Sequence, residues 1–234
     1  MCEFKTQEKT QDGVQGITQD GVQGVTQDGV RGITQDGVQL KTRGKTKSRA
    51  RGRLSVREMV IFSMLGAIMF CSKIIMEALP NIHLLGALTM IYTLVYRKKA
   101  LIPIYIYVLL NGAYAGFSMW WVPYTYIWTI LWLITMVLPK NMPRGVGAVV
   151  YPLVCGLYGL AFGALYAPAQ AIMFGLDFNK AIAWIVAGLP FDLLHSVGNF
   201  VAGLSILPLS IFLRRLSIQA RILPQKTEEK KILE

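Results

Sequence analysis

Residues 191–213 read FDLLHSVGNFVAGLSILPLSIFL and run straight into Arg214 and Arg215. Three polar residues, Asp192, His195 and Asn199, interrupt an otherwise apolar run. Their i, i+3, i+7 spacing puts them on one face of a helix. The remaining ~20 positions are apolar over a length that crosses the hydrocarbon core of a bilayer. A carboxylate in such a helix is expensive, so it turns toward a bundle interior or a wet cavity and marks a candidate functional site. The stretch predicts a membrane helix with a single polar face.

Composition points the same way. Mean hydropathy is +0.45, yet the formal net charge is +11. A soluble nucleic-acid binder of this basicity would interleave its Lys and Arg with polar and aromatic residues in a patch. Here the basic residues flank apolar runs, so a nucleic-acid partner is not expected and membrane lipid is. Cys2, Cys71 and Cys155 are widely spaced, and two of them lie inside apolar segments. They read as small packing residues, with neither a disulfide nor a metal site expected.

The chain divides near residue 54. Residues 11–42 are four near-identical octads, QDGVQGIT, QDGVQGVT, QDGVRGIT and QDGVQLKT. A period of eight fits neither a coiled coil nor a calcium-binding β-roll, and each unit has too few apolar side chains to build a core. Residues 1–53 are therefore expected to be a disordered, repeat-bearing tail, with a small solenoid or adhesive repeat as the alternative. The stretch KTRGKTKSRARGRLSVR, residues 41–57, fits a cytoplasmic flank that fixes topology and touches anionic headgroups. The first 50 residues contain no apolar core of a secretory signal, so insertion is expected to depend on the first spanning helix.

Beyond the tail, apolar segments run at roughly 56–78, 83–96, 100–117, 120–138, 145–170 and 190–213. The expected fold is an all-α membrane protein, a six-transmembrane-helix bundle over residues 54–216 followed by a cytoplasmic tail, 217–234. Segment 83–96 is short, and a five-span count with that segment re-entrant is the alternative. With the amino terminus inside, Arg97, Lys98, Lys99, Lys140, Arg144, Arg214, Arg215, Arg221 and Lys226 fall on the cytoplasmic side. Lys180 falls opposite, a strong positive-inside bias that places both termini in the cytoplasm.

This topology gathers several polar and aromatic residues in the outer half. Lys73 and Glu77 end the first segment; Asn81 and His83 follow; Trp121 and Tyr124 open the fourth; Asp177, Lys180 and Trp184 precede the sixth. Lys73 and Glu77 either pair with each other at i, i+4 or meet a ligand. Trp121 and Tyr124 are candidates for stacking a ring, whereas Tyr126 and Trp128 read better as an interfacial belt. His83 is a candidate cap for the second segment, and Asn111 for a hydrogen bond between helices. The candidate binding set is Asp192, His195, Asn199, Glu77, Lys73, Asn81, Trp121, Tyr124 and Trp184. Small residues form two further strips. Ser63, Ala67 and Cys71, with Gly66 beside them, offer close approach to a partner helix. Gly156, Gly159, Gly163 and Ala167 do the same in the fifth segment.

Residues 54–216 resemble the substrate-binding S component of an energy-coupling factor (ECF) transporter. The resemblance is carried by the six-segment layout, by DLLHSVGNFVAGL (192–204) with Leu207-Pro208-Leu209, and by the small-residue strip of the first segment. ALPNIHLLGAL, YRKKALIPIY and WWVPYTYIW add to it. The resemblance implies capture of a vitamin or similar micronutrient at the outer face of the plasma membrane. It implies partnership with a transmembrane coupling subunit and two ATPases, which use the ATP; this chain would carry no cofactor. It also implies that Ser63, Gly66, Ala67 and Cys71 meet the coupling subunit while Asp192, His195 and Asn199 face the substrate. Asp192 and Glu77 favour a neutral, cationic or zwitterionic heterocycle, although Lys73 or Lys180 would equally receive a carboxylate.

An intramembrane enzyme using Asp192, His195 and Glu77 is a rival, but no H-E-x-x-H or nucleophile elbow accompanies them. No catalytic residue is therefore expected. A stand-alone proton-coupled carrier is the other rival, since one intramembrane acid serves as a relay. The segments show no internal repeat of the kind many carriers have.

Overall fold

Ser55 starts the first helix by a reciprocal cap. Its hydroxyl accepts from the Glu58 N–H, and the Glu58 carboxylate accepts from the Ser55 N–H, which satisfies two orphan donors at once. The structure is a computed structural model that describes residues 54–78, 82–139 and 142–224. The octad tail, Asn81 and the last ten positions lie outside the described residues. All described residues belong to the second of two units, residues 49–234.

Every regular element among the described residues is helical. The α-helices are α1 (Val56–Ile75), α2 (Leu85–Tyr96), α3 (Leu101–Ala115), α4 (Tyr124–Val137), α5 (Arg144–Leu160), α6 (Phe162–Phe174), α7 (Phe178–Gly203) and α8 (Ile206–Gln219). Short 3₁₀ turns precede α3 and α4. Three stretches are long and apolar enough to cross a membrane: α1, the nearly continuous α5–α6, and α7. Helices α2, α3 and α4 are shorter, with 12, 15 and 14 residues. At ~1.5 Å per residue they reach about 18 to 23 Å, short of a ~30 Å hydrocarbon core.

The distribution of apolar side chains is that of a membrane protein. On α7, Ile182, Val186, Leu189, Leu193, Val197 and Val201 form an exposed stripe at helical spacing. The buried face of the same helix carries Asp192, His195 and Asn199. Water would penalise an outward stripe of that size; lipid solvates it. Helix α2 is the reverse of α7 in exposure. Ten of its twelve residues are buried, so it is the inner helix against which α4, α7 and α8 are arranged.

The last apolar segment departs from its expected bounds. Helix α7 begins at Phe178, with Asp177 as N-cap accepting from the Lys180 N–H, rather than near residue 190. Pro190 marks an apparent start in the sequence, but it lies inside the helix. Lys180 and Trp184 are consequently helical. The helix ends at Gly203, where Leu204 and Ser205 turn the chain through short bonds to Val201 and Ala202. Pro208 then sits in the first turn of α8, where a missing N–H costs nothing.

Candidate functional site

Helix α7 meets α5 and α6 along a run of glycines. A side chain at Gly156 would touch Phe200, one at Gly159 would fall 2.7 Å from Asn199 Nδ2, and one at Gly163 would collide with the Asp192 carboxylate. Contacts step backward along α7 as they step forward along α5 and α6, so the two strands of helix are antiparallel. The small-residue strip of the fifth segment is thus used within the chain. It makes room for the polar face of α7.

That face is buried: Asp192 is 6% exposed, His195 5% and Asn199 2%. Asp192 Oδ1 accepts from the Gly163 N–H at 3.1 Å, while Oδ2 has no partner among the described residues. Asn199 Oδ1 lies 4.0 Å from Cys155 Sγ and against Gly86 of α2, and its Nδ2 has no partner among the described residues. His195 meets His83 edge-to-face with ring centroids 4.8 Å apart, and Phe162 at 4.7 Å. These are the two histidines of the chain. His83 is positioned by its neighbour Ile82, which rests on Gly198 of α7. It supplies no cap; the N-cap position of α2 is Leu84, without a side-chain bond.

Aromatic residues continue the site toward α3 and α4. Trp128 is 1% exposed, and its ring lies 6.3 Å from His83, 6.3 Å from Phe162, 6.1 Å from Tyr124 and 6.0 Å from Tyr107. It is a core residue and not part of an interfacial belt. Its position on the inward face of α4 is invisible to composition, because Trp120, Trp121, Tyr124, Tyr126 and Trp128 all read as aromatic. Tyr124 touches both Trp120 and Trp128. Asn111 is fully buried, yet neither atom of its amide is hydrogen-bonded among the described residues, contrary to the expected bond between helices.

The other candidates are distributed around this centre. Trp184 stacks on Tyr166 at 6.1 Å, two turns before Asp192 on the same side of α7. Trp121 is committed to packing: its Nε1 donates to the Val108 carbonyl and its ring meets Phe117. Lys73 and Glu77 pair with each other at 3.6 Å, and Glu77 is exposed. Lys180 pairs with Asp177 at 3.1 Å. The Asp177 carboxyl is held below its ordinary range, first by the bond from the Lys180 N–H. On α1, Ser63, Ala67 and Cys71 are exposed, whereas Gly66 is buried against α3, where a side chain would meet Ile106 at 2.6 Å. Gly66 serves the α1–α3 contact rather than the outward strip.

Chemically the centre offers one carboxylate, two imidazoles, two amides and a wall of aromatic rings. Among the described residues, no three His, Cys, Asp or Glu side chains are grouped to hold a metal ion.

No protein-family model, curated protein or solved structure matches this chain. The functional reading therefore rests on the chemistry of the site.

Proposed function

We propose that the chain is the substrate-binding membrane subunit of an ECF-type importer. In this reading it is a six-span bundle in the plasma membrane with both termini cytoplasmic. The short helices α2 to α4 cross with their flanking 3₁₀ turns and loops, and α7 with α8 forms the last crossing. Asp192, His195 and Asn199 bind a vitamin-like or heterocyclic micronutrient near the outer face, with Tyr124 and Trp184 as aromatic neighbours. The outward strip Ser63, Ala67 and Cys71 meets a transmembrane coupling subunit, and two partner ATPases supply the energy.

One observation carries the binding reading. Asp192 Oδ2 and Asn199 Nδ2 are buried and unpartnered on the same face of a long apolar helix. A chain that needed these groups only for folding would be expected to satisfy them, because a buried orphan costs about 1–3 kcal/mol. A ligand that bonds them recovers that cost on binding. Lys73 and Glu77 are left outside the binding set because they satisfy each other.

The same buried carboxylate also suits a proton relay, which keeps the stand-alone carrier as the second reading. Two measurements separate them. Native mass spectrometry of the full chain purified from its own host is expected to show a small molecule bound one-to-one, lost in Asp192→Ala. Uptake of that molecule by cells is expected to stop when the partner ATPases are removed. Uptake that persists without any ATPase and collapses with a protonophore would overturn the importer reading in favour of the carrier.

A further inference from the structure

Outside the Asp192 face, a second group of buried polar atoms lacks partners among the described residues: His83 Nδ1, the Tyr107 hydroxyl, both amide atoms of Asn111, and Trp128 Nε1. They come from three places in the chain: the turn before α2, helix α3 and helix α4. Tyr107 and Asn111 are four residues apart on α3 and share a face. The Tyr107 ring stands edge-to-face with Trp128, and Trp128 with His83, which abuts His195. A continuous line of ring contacts therefore runs from the polar face of α7 to α3. Tyr107 and Asn111 are 0% exposed and Trp128 1%.

We propose that His83, Tyr107, Asn111 and Trp128 form the specificity recess of the site, and that it takes an uncharged planar heterocycle bearing a lactam or carboxamide edge. The proposal rests on the binding reading above. Asn111 presents an acceptor and a donor side by side, the complement of an adjoining N–H and C=O. Trp128 Nε1 only donates, so it calls for an acceptor on the ligand; the Tyr107 hydroxyl adapts to either. The rings supply faces for a flat ligand. Among the described residues, a carboxylate or phosphate would find no cation there that is not already paired or bonded elsewhere. Lys73 is paired with Glu77, and Lys180 is paired with Asp177. Arg97 and Arg214 are bonded to main-chain carbonyls of Met136 and Leu94. The formal charge contributed by the site itself is that of Asp192, which repels an anion.

The test uses the full chain in nanodiscs with hypoxanthine as a lactam, benzamide as a carboxamide and benzoate as the anionic isostere, read by calorimetry and melting temperature. Hypoxanthine or benzamide is expected to bind at least about tenfold more tightly than benzoate. Asn111→Leu is expected to lose about tenfold or more of that binding while raising the melting temperature of the ligand-free protein, because an orphan amide gives way to an apolar group of similar size. A structural amide or one satisfied by buried water would lower the melting temperature on the same change. Benzoate binding as tightly as benzamide overturns the proposal, as does undiminished probe binding in Asn111→Leu or a lowered melting temperature in that variant. A co-purifying ligand lost in Asp192→Ala but retained in Asn111→Leu overturns the recess and leaves the binding reading standing. Absence of any co-purifying ligand together with absence of probe binding overturns both.

Discussion

Two regions of the bundle handle buried polar groups in opposite ways. Where α1 begins and α2, α4 and α8 end, nearly every buried polar side chain among the described residues is partnered within the chain. Lys99 Nζ lies 2.5 Å from the buried Glu58 carboxylate, and the Tyr96 and Ser217 hydroxyls are 2.7 Å apart. An Arg97 N–H bonds the Met136 carbonyl at 2.8 Å, and Trp132 Nε1 donates to the Arg97 carbonyl at 3.1 Å. Among the described residues at this end, the exception is Arg97 Nε. Around Asp192 the pattern inverts: carboxylate, amides, indole and imidazole are buried with hydrogen-bonding capacity unused. Polar groups kept for the fold bring their partners with them. Groups without partners are where a ligand gains most.

The largest expected effect tests the unpartnered region. Asp192→Asn keeps an oxygen for the Gly163 N–H and removes the charge. Ligand affinity is expected to fall on the order of 100-fold, about 2.7 kcal/mol. The melting temperature of the ligand-free protein is expected to hold or rise, because a buried carboxylate becomes neutral. Calorimetry with the co-purified ligand and a thermal melt of the same sample check both. A clear loss of stability with unchanged affinity would move Asp192 into the structural class represented by Glu58.

The opposite result is expected at the partnered end. Glu58→Ala removes the capping box and the ion pair together and is expected to cost about 2 kcal/mol, with ligand affinity untouched. Lys99 is half-exposed, so the pair itself is worth less than a fully buried one. Lys99→Met leaves the buried carboxylate with the Ser55 N–H and without its counter-ion. The double variant is expected to fall short of additivity by about 1 kcal/mol in SDS unfolding.

The division between these regions was partly legible in the sequence. The i, i+3, i+7 polar face of α7 stands out because each polar residue interrupts an apolar run, and helical spacing alone then puts them together. The glycines of α5 and α6 were legible as a close-approach strip, though not which helix approached. Trp128 and Tyr107 could not be separated from their neighbours; Asn111 stood out as a lone amide in an apolar segment, but read as a bond between helices that the structure does not contain. Segments three and four are apolar nearly all round, so periodicity does not say which side turns inward. Burial of Trp128 instead follows from α4 lying beside α2, a relation between distant parts of the chain. The start of α7 was displaced for a local reason. Pro190 resembles a helix boundary, but the Asp177 cap and the apolar run after it extend the helix upstream.

A smaller effect is expected from Tyr96→Phe, which removes the hydroxyl shared with Ser217. Both groups are buried, and Ser217 retains its bond to the Leu213 carbonyl. The cost is therefore that of one hydrogen bond, about 1 kcal/mol, visible in SDS unfolding and absent from ligand calorimetry. A matching loss of affinity would show that the partnered end moves when the ligand binds.

The smallest effect concerns Lys73 and Glu77, the pair that the sequence left between structure and ligand contact. They face each other at 3.6 Å at the end of α1, with Glu77 largely in solvent. Their order, Lys before Glu at i, i+4, is the weaker one for a helix pair. Lys73→Met is expected to change stability by about 0.3 kcal/mol and ligand affinity by less than about twofold. Lys73 also stands 6.0 Å from the Tyr114 ring centroid, a contact that Met partly retains through its apolar stem. Because the structural cost is so small, a tenfold fall in affinity would have no other source than the ligand. Lys73 would then leave Glu77 on binding and bring a cation to the site, and a ligand carrying a carboxylate would replace the uncharged one.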